Sequence, residues 1–545
     1  MQSTGSDATT INKAGSRLLL VLPFENRTQQ PSLDWIGEAV PEVLNRRLAS
    51  AGFTVIGRND RQYALDHLGL PKNFQPSRAT ALRLAQTLDA DYIVLGSFTE
   101  QGSTFRASAQ ILDVTALRLG PPIVEQADIN RLLDVLNSVA WRVARALDPK
   151  YPVAQNTFVA TGSHLRLDAF ENYTRGLVEN NPPEQIRHLK DAVAQSPEFA
   201  PAWLALGLTY FGEQQFELAA TALGHLPKTD PSALQAEFYR GLAFFYTGSY
   251  PKALDAFAFV ATQLPLPEVV NNEGVAQSRR GRDGTGFFQQ AIAADPQDED
   301  FHFNLAVALA RRGDVRGAQN AVAQGLKLRP QDTEAEAFAT RLRAMPPAPP
   351  SVASTASGQA GSTQVAPGGS NSPGSAIPTP APAARAANLP LERIKRSFND
   401  ASFRQAAAEI EQVQAMRLAS LPPAARAAAL AKEGQRYLDQ GLLLEAEREF
   451  QLSLAADSAN AAAHIGLAQV RERNGDVDEA RKEAQASIKL QPSAAAYVVL
   501  AKLDMTANQN ATAAADISHA LELEPGNTAA RGIKQALVLK GQATP

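Results

Sequence analysis

Residues 200–231 constrain the fold most, because their small and large side chains recur at the spacing of two packed helices. Counted from Ala200, large residues stand at positions 4, 7, 11 and 24 and small residues at positions 8 and 20: Trp203, Leu206, Tyr210 and Leu223, then Gly207 and Ala219. Small residues let two antiparallel helices approach closely, and large residues fill the space between them. Pro231, at position 32, ends the second helix. The stretch therefore predicts a helix–turn–helix unit.

The same unit recurs along the chain. The prolines that close successive units lie 34 residues apart at Pro231 and Pro265, and again at Pro296 and Pro330. A shorter unit upstream closes at Pro197. Self-similarity with a period of about 20 to 50 residues is the signature of a solenoid, in which each unit packs only on its neighbours.

A second series of these units follows in the carboxyl-terminal third. One unit carries Gly434 and Phe450 in the expected places, and the next two units close at Pro492 and Pro525. Residues 403–410 have the apolar spacing of the second helix of a degenerate unit. Two helical arrays are therefore expected in the chain.

This pattern resembles the tetratricopeptide repeat (TPR), a helix–turn–helix family with a period of 34 residues. The resemblance implies an all-α solenoid in two arrays, residues 165–344 and 389–541, each closed by a capping helix that covers the exposed end. It also implies a non-enzymatic protein that binds a protein or peptide partner through the groove of an array.

Between the arrays, residues 345–384 contain no charged residue and are rich in Pro, Ala, Gly, Ser and Thr. Such a composition cannot bury a core, so residues 345–388 are predicted to be a disordered linker. Residues 1–16 are polar and are predicted to be a disordered arm.

Residues 17–150 have a different pattern, in which short apolar runs alternate with helical periods. The run at 17–22 is continuously apolar, as in a strand covered on both faces. The strand candidate at 104–114 places Phe105, Ala107, Ala109 and Ile111 on one face. The whole region predicts an α/β domain with a mixed sheet, in the order β-α-β-α-α-β-β-β-α.

Four segments of this domain carry a second resemblance: LPFEN at 22–26, DWIG at 34–37, VIGR at 55–58 and ADYIVLGSF at 90–98. They are similar to the amino-terminal domain of the TolB and FlgO kind, which is related to the curli-secretion lipoprotein. The resemblance implies a bacterial module for binding or assembly, without enzymatic activity, in the periplasm or envelope. The chain as written carries no export signal, which favours the cytoplasm instead, and both expectations stay open.

Composition and motifs argue against several functional classes. A net charge of −4 argues against nucleic-acid binding, and the absence of cysteine excludes thiolate catalysis and iron–sulfur clusters. No run of about eighteen apolar residues is present, so no membrane span is expected. The seven histidines lack metal-ligand spacing, and the acidic cluster 298–300 is interpreted as a helix amino-terminus. No catalytic residue, cofactor or metal is predicted.

Surface positions of the first array remain as the candidate site. In the TPR family the groove is lined by positions 2, 5, 6, 9, 12 and 13 of each first helix. In this chain they correspond to Leu204, Leu208, Phe211, Phe238, Tyr239, Leu242, Phe245, Tyr246, Asn272, Phe303, Asn304 and Arg311. These side chains either pack against neighbouring helices or receive an apolar segment of a partner, with Asn272 and Asn304 bonding its backbone.

Two functions follow from these features. The first is a non-enzymatic scaffold or adaptor that mediates protein–protein interactions through the TPR grooves. The alternative is a bacterial envelope sensor or assembly factor whose α/β domain binds a small molecule or glycan, through polar groups near Asn26, Arg58 and Ser97. The oligomeric state is not predicted.

Overall fold

The computed structural model describes residues 18–71, 77–160, 165–345, 389–396 and 400–539. The predicted disordered arm, and the predicted linker beyond Met345, lie outside these residues. The chain divides into two compact units. The first unit combines residues 1–205 with 400–545, and the second comprises residues 206–399.

A mixed sheet forms the base of the amino-terminal domain. Its strands are β1 (Leu18–Val21), β2 (Glu25–Asn26), β3 (Thr54–Val55), β4 (Tyr92–Gln101), β5 (Thr104–Asp113), β6 (Arg118–Leu119) and β7 (Ile123–Asp128). The order is β3-β1-β4-β5-β6, with β2 also beside β4 and β7 also beside β5. Strand β1 runs parallel to β3 and β4, whereas β4, β5 and β7 pair antiparallel. The predicted mixed sheet is confirmed.

Four helices accompany this sheet: α1 (Trp35–Ser50), α2 (Arg58–His67), α3 (Arg78–Thr87) and α4 (Leu132–Leu147). Helix α1 continues through Pro41 without ending. On β5, Phe105, Ala107 and Ala109 are wholly buried as expected, but Ile111 is only half-buried and Leu112 is buried instead. Leu112 belongs to the apolar cluster that also contains Leu20, so both faces of the sheet are covered.

The remaining helices form the two arrays. Helix α5 (Gln155–Ala160) precedes them and packs on α4. The first array contains α6 (Leu167–Val178), α7 (Pro182–Gln195), α8 (Ala200–Gly212), α9 (Phe216–Leu223), α10 (Ala233–Tyr246), α11 (Tyr250–Gln263), α12 (Pro267–Arg279), α13 (Thr285–Ala294), α14 (Glu299–Arg311), α15 (Val315–Leu328) and α16 (Thr333–Ala344). The second contains α17 (Asp400–Ala419), α18 (Pro423–Asp439), α19 (Leu443–Ala456), α20 (Ala461–Arg473), α21 (Val477–Leu490), α22 (Ala494–Thr506), α23 (Asn510–Leu523) and α24 (Thr528–Leu539). Consecutive helices pack on one another from α9 to α16 and from α17 to α24, and α6 packs on α7, as a solenoid requires.

Glycine at the predicted small positions is explained by close helix contact. A Cβ atom built on Gly207 would lie 2.6 Å from Cγ of Leu223, and one on Gly241 would lie 2.7 Å from the ring of Phe257. Side chains cannot approach that closely without moving, so the facing large residue needs a residue without a Cβ atom there. The register predicted from the repeat is confirmed at both positions.

Replacing Gly241 with leucine is expected to lower the free energy of unfolding by about 1–3 kcal/mol, because the added side chain overpacks the contact with Phe257. Thermal melting followed by circular dichroism measures the change. Gly286→Leu is the matched control, since a Cβ atom there meets nothing within 4 Å. Equal melting temperatures for the two variants would contradict the assigned packing.

Within the first unit, the α/β domain packs against helices of both arrays. Tyr173 on α6 donates a hydrogen bond to Oε2 of Glu42 on α1 at 2.8 Å. The backbone N–H of Ala154 donates to Oε1 of Glu447 on α19 at 3.0 Å. Glu447 is fully buried and forms an ion pair with Arg471 at 2.6 Å. The second array is therefore tied by hydrogen bonding to the segment that directly follows α4.

Candidate peptide-binding groove

Residues 389–396, with the sequence LPLERIKR, have no helical or strand assignment and belong to the second unit. They are called the groove segment below, and the surface that they contact, on α12, α14 and the start of α16, is called the first-array groove. The sequence-based boundary placed residue 389 at the start of the second array. The structure instead places residues 389–396 against helices of the first array.

Two asparagines of the groove bind the backbone of the segment. Asn304 on α14 accepts from the N–H of Arg393 at 2.6 Å and donates to its carbonyl at 2.7 Å. Asn272 on α12 binds Lys395 in the same way, at 2.8 Å and 2.9 Å. The two bonded residues are separated by one residue, which is the period of an extended strand. Each asparagine thus makes the two backbone hydrogen bonds that a residue of a neighbouring strand would make.

A third asparagine fixes the first two. Asn271 accepts from Nδ2 of Asn304 at 2.7 Å and itself donates to the carbonyl of Arg393 at 3.1 Å. All three asparagines are fully buried. Buried amides are costly unless they are hydrogen-bonded, so the network orients the carboxamides for the backbone that they hold.

Two arginines enclose the only carboxylate of the segment. The side chain of Glu392 is fully buried, and its Oε2 accepts from Nη2 of Arg311 at 3.1 Å. Nε of Arg279 lies 3.6 Å from the same carboxylate, and Nη2 of Arg279 donates to the backbone carbonyl of Glu392 at 3.2 Å. Arg279 and Arg311 follow Asn272 and Asn304 by seven residues, which keeps them on the same helix face.

Four carboxylates on the opposite side of the segment form an acidic rim: Asp298, Asp300, Asp332 and Glu334. The guanidinium of Arg393 pairs with Asp300 at 3.0 Å, with Asp332 at 2.5 Å and with Glu334 at 2.9 Å. The ammonium of Lys395 pairs with Asp298 at 2.7 Å and Asp300 at 2.8 Å. The rim thus binds the two basic side chains on one face of the segment.

Apolar and aromatic contacts complete the site. The Arg393 guanidinium lies 3.8 Å above the ring centroid of Phe303, a cation–π contact. Ile394 packs on the cluster formed by Val275, Phe288 and Ala308, beside Phe245. Leu389 packs on the cluster that contains Phe303 and Phe338, whereas Leu391 is 60% exposed.

Ion pairing with the basic side chains of the segment favours the ionised form of the rim carboxylates. Burial raises the pKa of Asp300, but hydrogen bonds from Lys395 and Arg393 outweigh it and lower the pKa overall. The bond from Arg393 lowers the pKa of Asp332 despite burial. The attraction is therefore present above the usual aspartate pKa of 3.8 and is lost as the pH falls through the lowered values.

The structure brings six of the predicted groove residues to the segment. Asn272, Asn304 and Arg311 hydrogen-bond to it. Phe303, Phe245 and Tyr246 contact it through their rings or through apolar packing.

The other six predicted residues have different surroundings. Phe238 and Leu242 are wholly buried on α10. Phe211 and Tyr239 pack in an aromatic cluster with Phe216 and Tyr246. Leu204 and Leu208 are half-buried on α8.

Six groove residues were not predicted: Asn271, Arg279, Asp298, Asp300, Asp332 and Glu334. A signal for Arg279 was present, because it repeats the seven-residue spacing between Asn304 and Arg311. Asp298 does cap α14 by accepting from the N–H of Asp300 at 3.0 Å, as its interpretation as a helix amino-terminus requires. The same carboxylates also bind Lys395, which local spacing does not indicate.

Glu273, next to Asn272 on α12, makes the stability of the second unit depend on pH. It is 8% exposed, and burial raises the pKa of its carboxyl from 4.5 to about 7. A raised pKa means that the neutral form is favoured in the folded state. Its stabilising contribution is therefore complete below pH 4.5 and is lost as the pH rises through about 7.

Glu273→Gln is expected to stabilise the protein at pH 8.5 by about 1–3 kcal/mol and to have little effect at pH 4.5, because the amide stays neutral. Melting temperatures at the two pH values measure this difference. The partly exposed Glu479, 46% exposed in its side chain, supplies the control Glu479→Gln. A Glu273→Gln effect that is equal at both pH values would contradict the raised pKa.

The polar groups considered for the alternative function lie in the α/β domain. Nδ2 of Asn26 donates to Asp34 at 2.7 Å, and Nε of Arg58 donates to Glu38 at 2.9 Å. Ser97 lies on β4 between Glu25 and Ser108. Asn26 and Arg58 are therefore engaged in contacts within their own domain.

Among the described residues, no helix is long and apolar enough to cross a membrane. The same residues contain no group of three His, Asp or Glu side chains that could hold a metal ion.

Family models described as tetratricopeptide repeat match residues 204–263, 279–342 and 431–495. The chain therefore contains tetratricopeptide repeats in both arrays, a class that typically provides a scaffold for protein–protein interaction. No curated protein matches it. The resemblance of the α/β domain to the TolB and FlgO kind stays a prediction.

Several solved structures are similar to parts of the chain. MamA 41-end from Desulfovibrio magneticus RS-1 is 20% identical over 31% of this chain and 99% of its own, with a TM-score of 0.29. A thermophilic TPR protein of Thermus thermophilus, TTC0263, is 14% identical over 32% and 100%, with a TM-score of 0.25. The LpoB C-terminal domain from Salmonella enterica is 22% identical over 21% and 84%, with a TM-score of 0.19. These values are too low to support a functional argument.

Proposed function

We propose that this protein is a non-enzymatic scaffold that binds partner proteins through the first-array groove, where it holds an extended partner segment by its backbone. One observation carries the proposal: Asn272 and Asn304 each bind the N–H and the carbonyl of a single residue. Every amino acid except proline offers this pair of groups. Backbone bonds of this kind supply affinity, and side-chain pockets supply specificity.

The chemistry of the groove supports recognition over mere packing. Its buried groups include three asparagines and the ion pairs of Glu392 with Arg279 and Arg311. Replacing a buried ion pair by well-packed apolar residues is often neutral or stabilising. A surface needed only to close the array is therefore expected to be apolar, whereas one that selects a ligand benefits from polar groups.

A binding experiment with an emptied groove tests the proposal. In full-length R393E/K395E, the acidic rim repels the groove segment and leaves the groove available. A fluorescence-labelled library of peptides eight residues long is screened against this variant. We expect a set of peptides whose binding is lost when N272A and N304A are added to the same chain. Binding that never depends on the two asparagines would overturn the proposal.

The α/β domain is proposed to act in the same scaffold as an assembly module, the role that its resemblance to the TolB and FlgO kind implies. What supports this role is its contact with the helical arrays inside the first unit. Glu42 on α1 accepts a hydrogen bond from Tyr173 on α6, and a Cβ atom built on Gly52 would lie 2.5 Å from the guanidinium of Arg448 on α19. A domain that anchors helices in this way has the property needed of an assembly platform.

A further inference from the structure

We infer that residues 389–396 are a built-in competitor for the first-array groove, and that the partner carries an extended segment with the same side-chain order: acidic, basic, aliphatic, basic. The inference rests on the proposed function, because it names the ligand class and the regulation of that same groove. It depends on how the two faces of the segment are recognised.

Side chains of the segment alternate between two environments. Glu392 and Ile394 face the arginine pair and the apolar cluster around Val275. Arg393 and Lys395 face the acidic rim. Alternation with a period of two is that of an extended strand, so each face of a bound peptide is matched by a different part of the groove.

The charges of the groove favour this order of residues. An empty groove exposes the guanidinium groups of Arg279 and Arg311 on one side and the four carboxylates of the acidic rim on the other. A ligand must neutralise both sets, since unpaired charge in a partly buried site is unfavourable. A glutamate directly before a basic residue does so when the backbone is held by Asn304 and Asn272. Exchanging these two residues places each charge against its own sign.

The core of the array does not require the segment. Helix α16 closes the first array with Phe338 and Leu342, which are wholly buried in the same cluster as Phe303 and Val322. Leu389 and Ile394 of the segment are only partly buried and pack at the edge of the apolar clusters. The other contacts of the segment are hydrogen bonds and ion pairs, which water or another peptide replaces. It can therefore leave the groove while the array stays folded.

The position of the segment in the chain makes it a competitor. Residues 346–388 lie between the end of the first array and the segment. A ligand that belongs to the same chain as its site acts at an effective concentration on the order of a millimolar. When the untethered segment has a dissociation constant of about 100 μM or less, the affinity of a partner peptide is weakened about tenfold or more, so partners must displace the segment before they bind.

Fluorescence anisotropy with a labelled LPLERIKR peptide tests the inference. We expect full-length R393E/K395E to bind the peptide at least tenfold more tightly than the wild-type chain. The control peptide LPLREIKR has the same composition with glutamate and arginine exchanged, and we expect it to bind the variant at least tenfold more weakly. Adding N272A and N304A to the variant should abolish the binding of both peptides.

The outcomes separate this inference from the proposed function. If no peptide binds the variant through Asn272 and Asn304, both fail. If peptides bind through these asparagines but LPLERIKR binds no better than LPLREIKR, only the inferred ligand class is overturned. Equal affinity of LPLERIKR for the wild-type chain and the variant overturns the inference that residues 389–396 compete for the groove.

If R393E/K395E does not fold, measurements on the wild-type chain still test the inference. Excess LPLERIKR, but not LPLREIKR, should accelerate hydrogen–deuterium exchange at the amides of Arg393 and Lys395, because the displaced segment loses its bonds. Unchanged exchange would overturn the inference. A wild-type dimer whose subunits exchange their groove segments would also overturn it, because the segment would then join two copies. Analytical ultracentrifugation of the wild type and R393E/K395E reveals such a dimer.

Discussion

Replacing Asn272 and Asn304 together by alanine should accelerate amide hydrogen exchange of Arg393 and Lys395 about 30-fold or more. The double variant removes four hydrogen bonds to the segment backbone. Each bond contributes about 0.5–1.5 kcal/mol net, so their loss favours opening by about 2–6 kcal/mol. Hydrogen–deuterium exchange with peptide-level mass spectrometry measures the change at residues 389–396. The amides of α12 and α14 report whether the helices themselves stay closed.

Asn180→Ala is the matched control, because Asn180 is exposed and outside the groove. It should leave the exchange of the segment unchanged. If the double variant also leaves the segment protected, the asparagines do not hold it. If the helices of the array open to the same extent as the segment, Asn272 and Asn304 act in the packing of the array instead.

The repeats could be predicted from the sequence because their cause is local and steric. Gly241 faces Phe257 in the next helix of the same unit, and the same contact recurs between Gly434 and Phe450. A short-range contact repeated with a fixed period leaves a visible pattern. The alternative that Asn272 and Asn304 bond the backbone of an apolar partner segment rests on the same periodicity. In this structure the bonded backbone is that of residues 393 and 395, in a charged segment of the same chain.

The groove segment could not be predicted, because its determinants lie far apart in the chain. The sequence LERIK has the charge content of an ordinary exposed helix. Its ionic partners Asp300 and Asp332 precede Arg393 by 93 and 61 residues, beyond the reach of any periodic pattern. Pro390 was the one local sign, because proline restrains the residue before it to extended conformations. The predicted start of the second array at residue 389 therefore precedes its first helix, α17, which begins at Asp400.

The sequence pattern also did not predict that the amino-terminal domain and the second array belong to one compact unit. Glu447 occupies an unremarkable position in the second helix of its unit, and a charged residue there ordinarily faces water. In this structure its carboxylate is buried and accepts a hydrogen bond from the backbone of Ala154, which is 293 residues away in the chain. The second array, which follows the predicted linker in the sequence, thus forms one compact unit with the amino-terminal domain.

Replacing Glu447 by alanine is expected to lower the free energy of unfolding of the first unit by about 3–5 kcal/mol. The change leaves the guanidinium of Arg471, whose side chain is 10% exposed, without its carboxylate at 2.6 Å, and it removes the acceptor of the Ala154 N–H. Breaking one half of a buried ion pair has a cost of this size. All three tryptophans, at positions 35, 141 and 203, belong to the first unit, so urea titration followed by tryptophan fluorescence reports on it.

Two further variants separate unpaired charge from lost packing. Glu479→Ala breaks an exposed pair with Lys482 on α21 and should change the stability by no more than about 0.5 kcal/mol. Glu447→Leu combined with Arg471→Leu should recover more than half of the loss, because burial already raises the pKa of Glu447 and thus opposes its charge. A double variant as unstable as Glu447→Ala would show instead that the carboxylate is needed as the acceptor for the backbone N–H of Ala154.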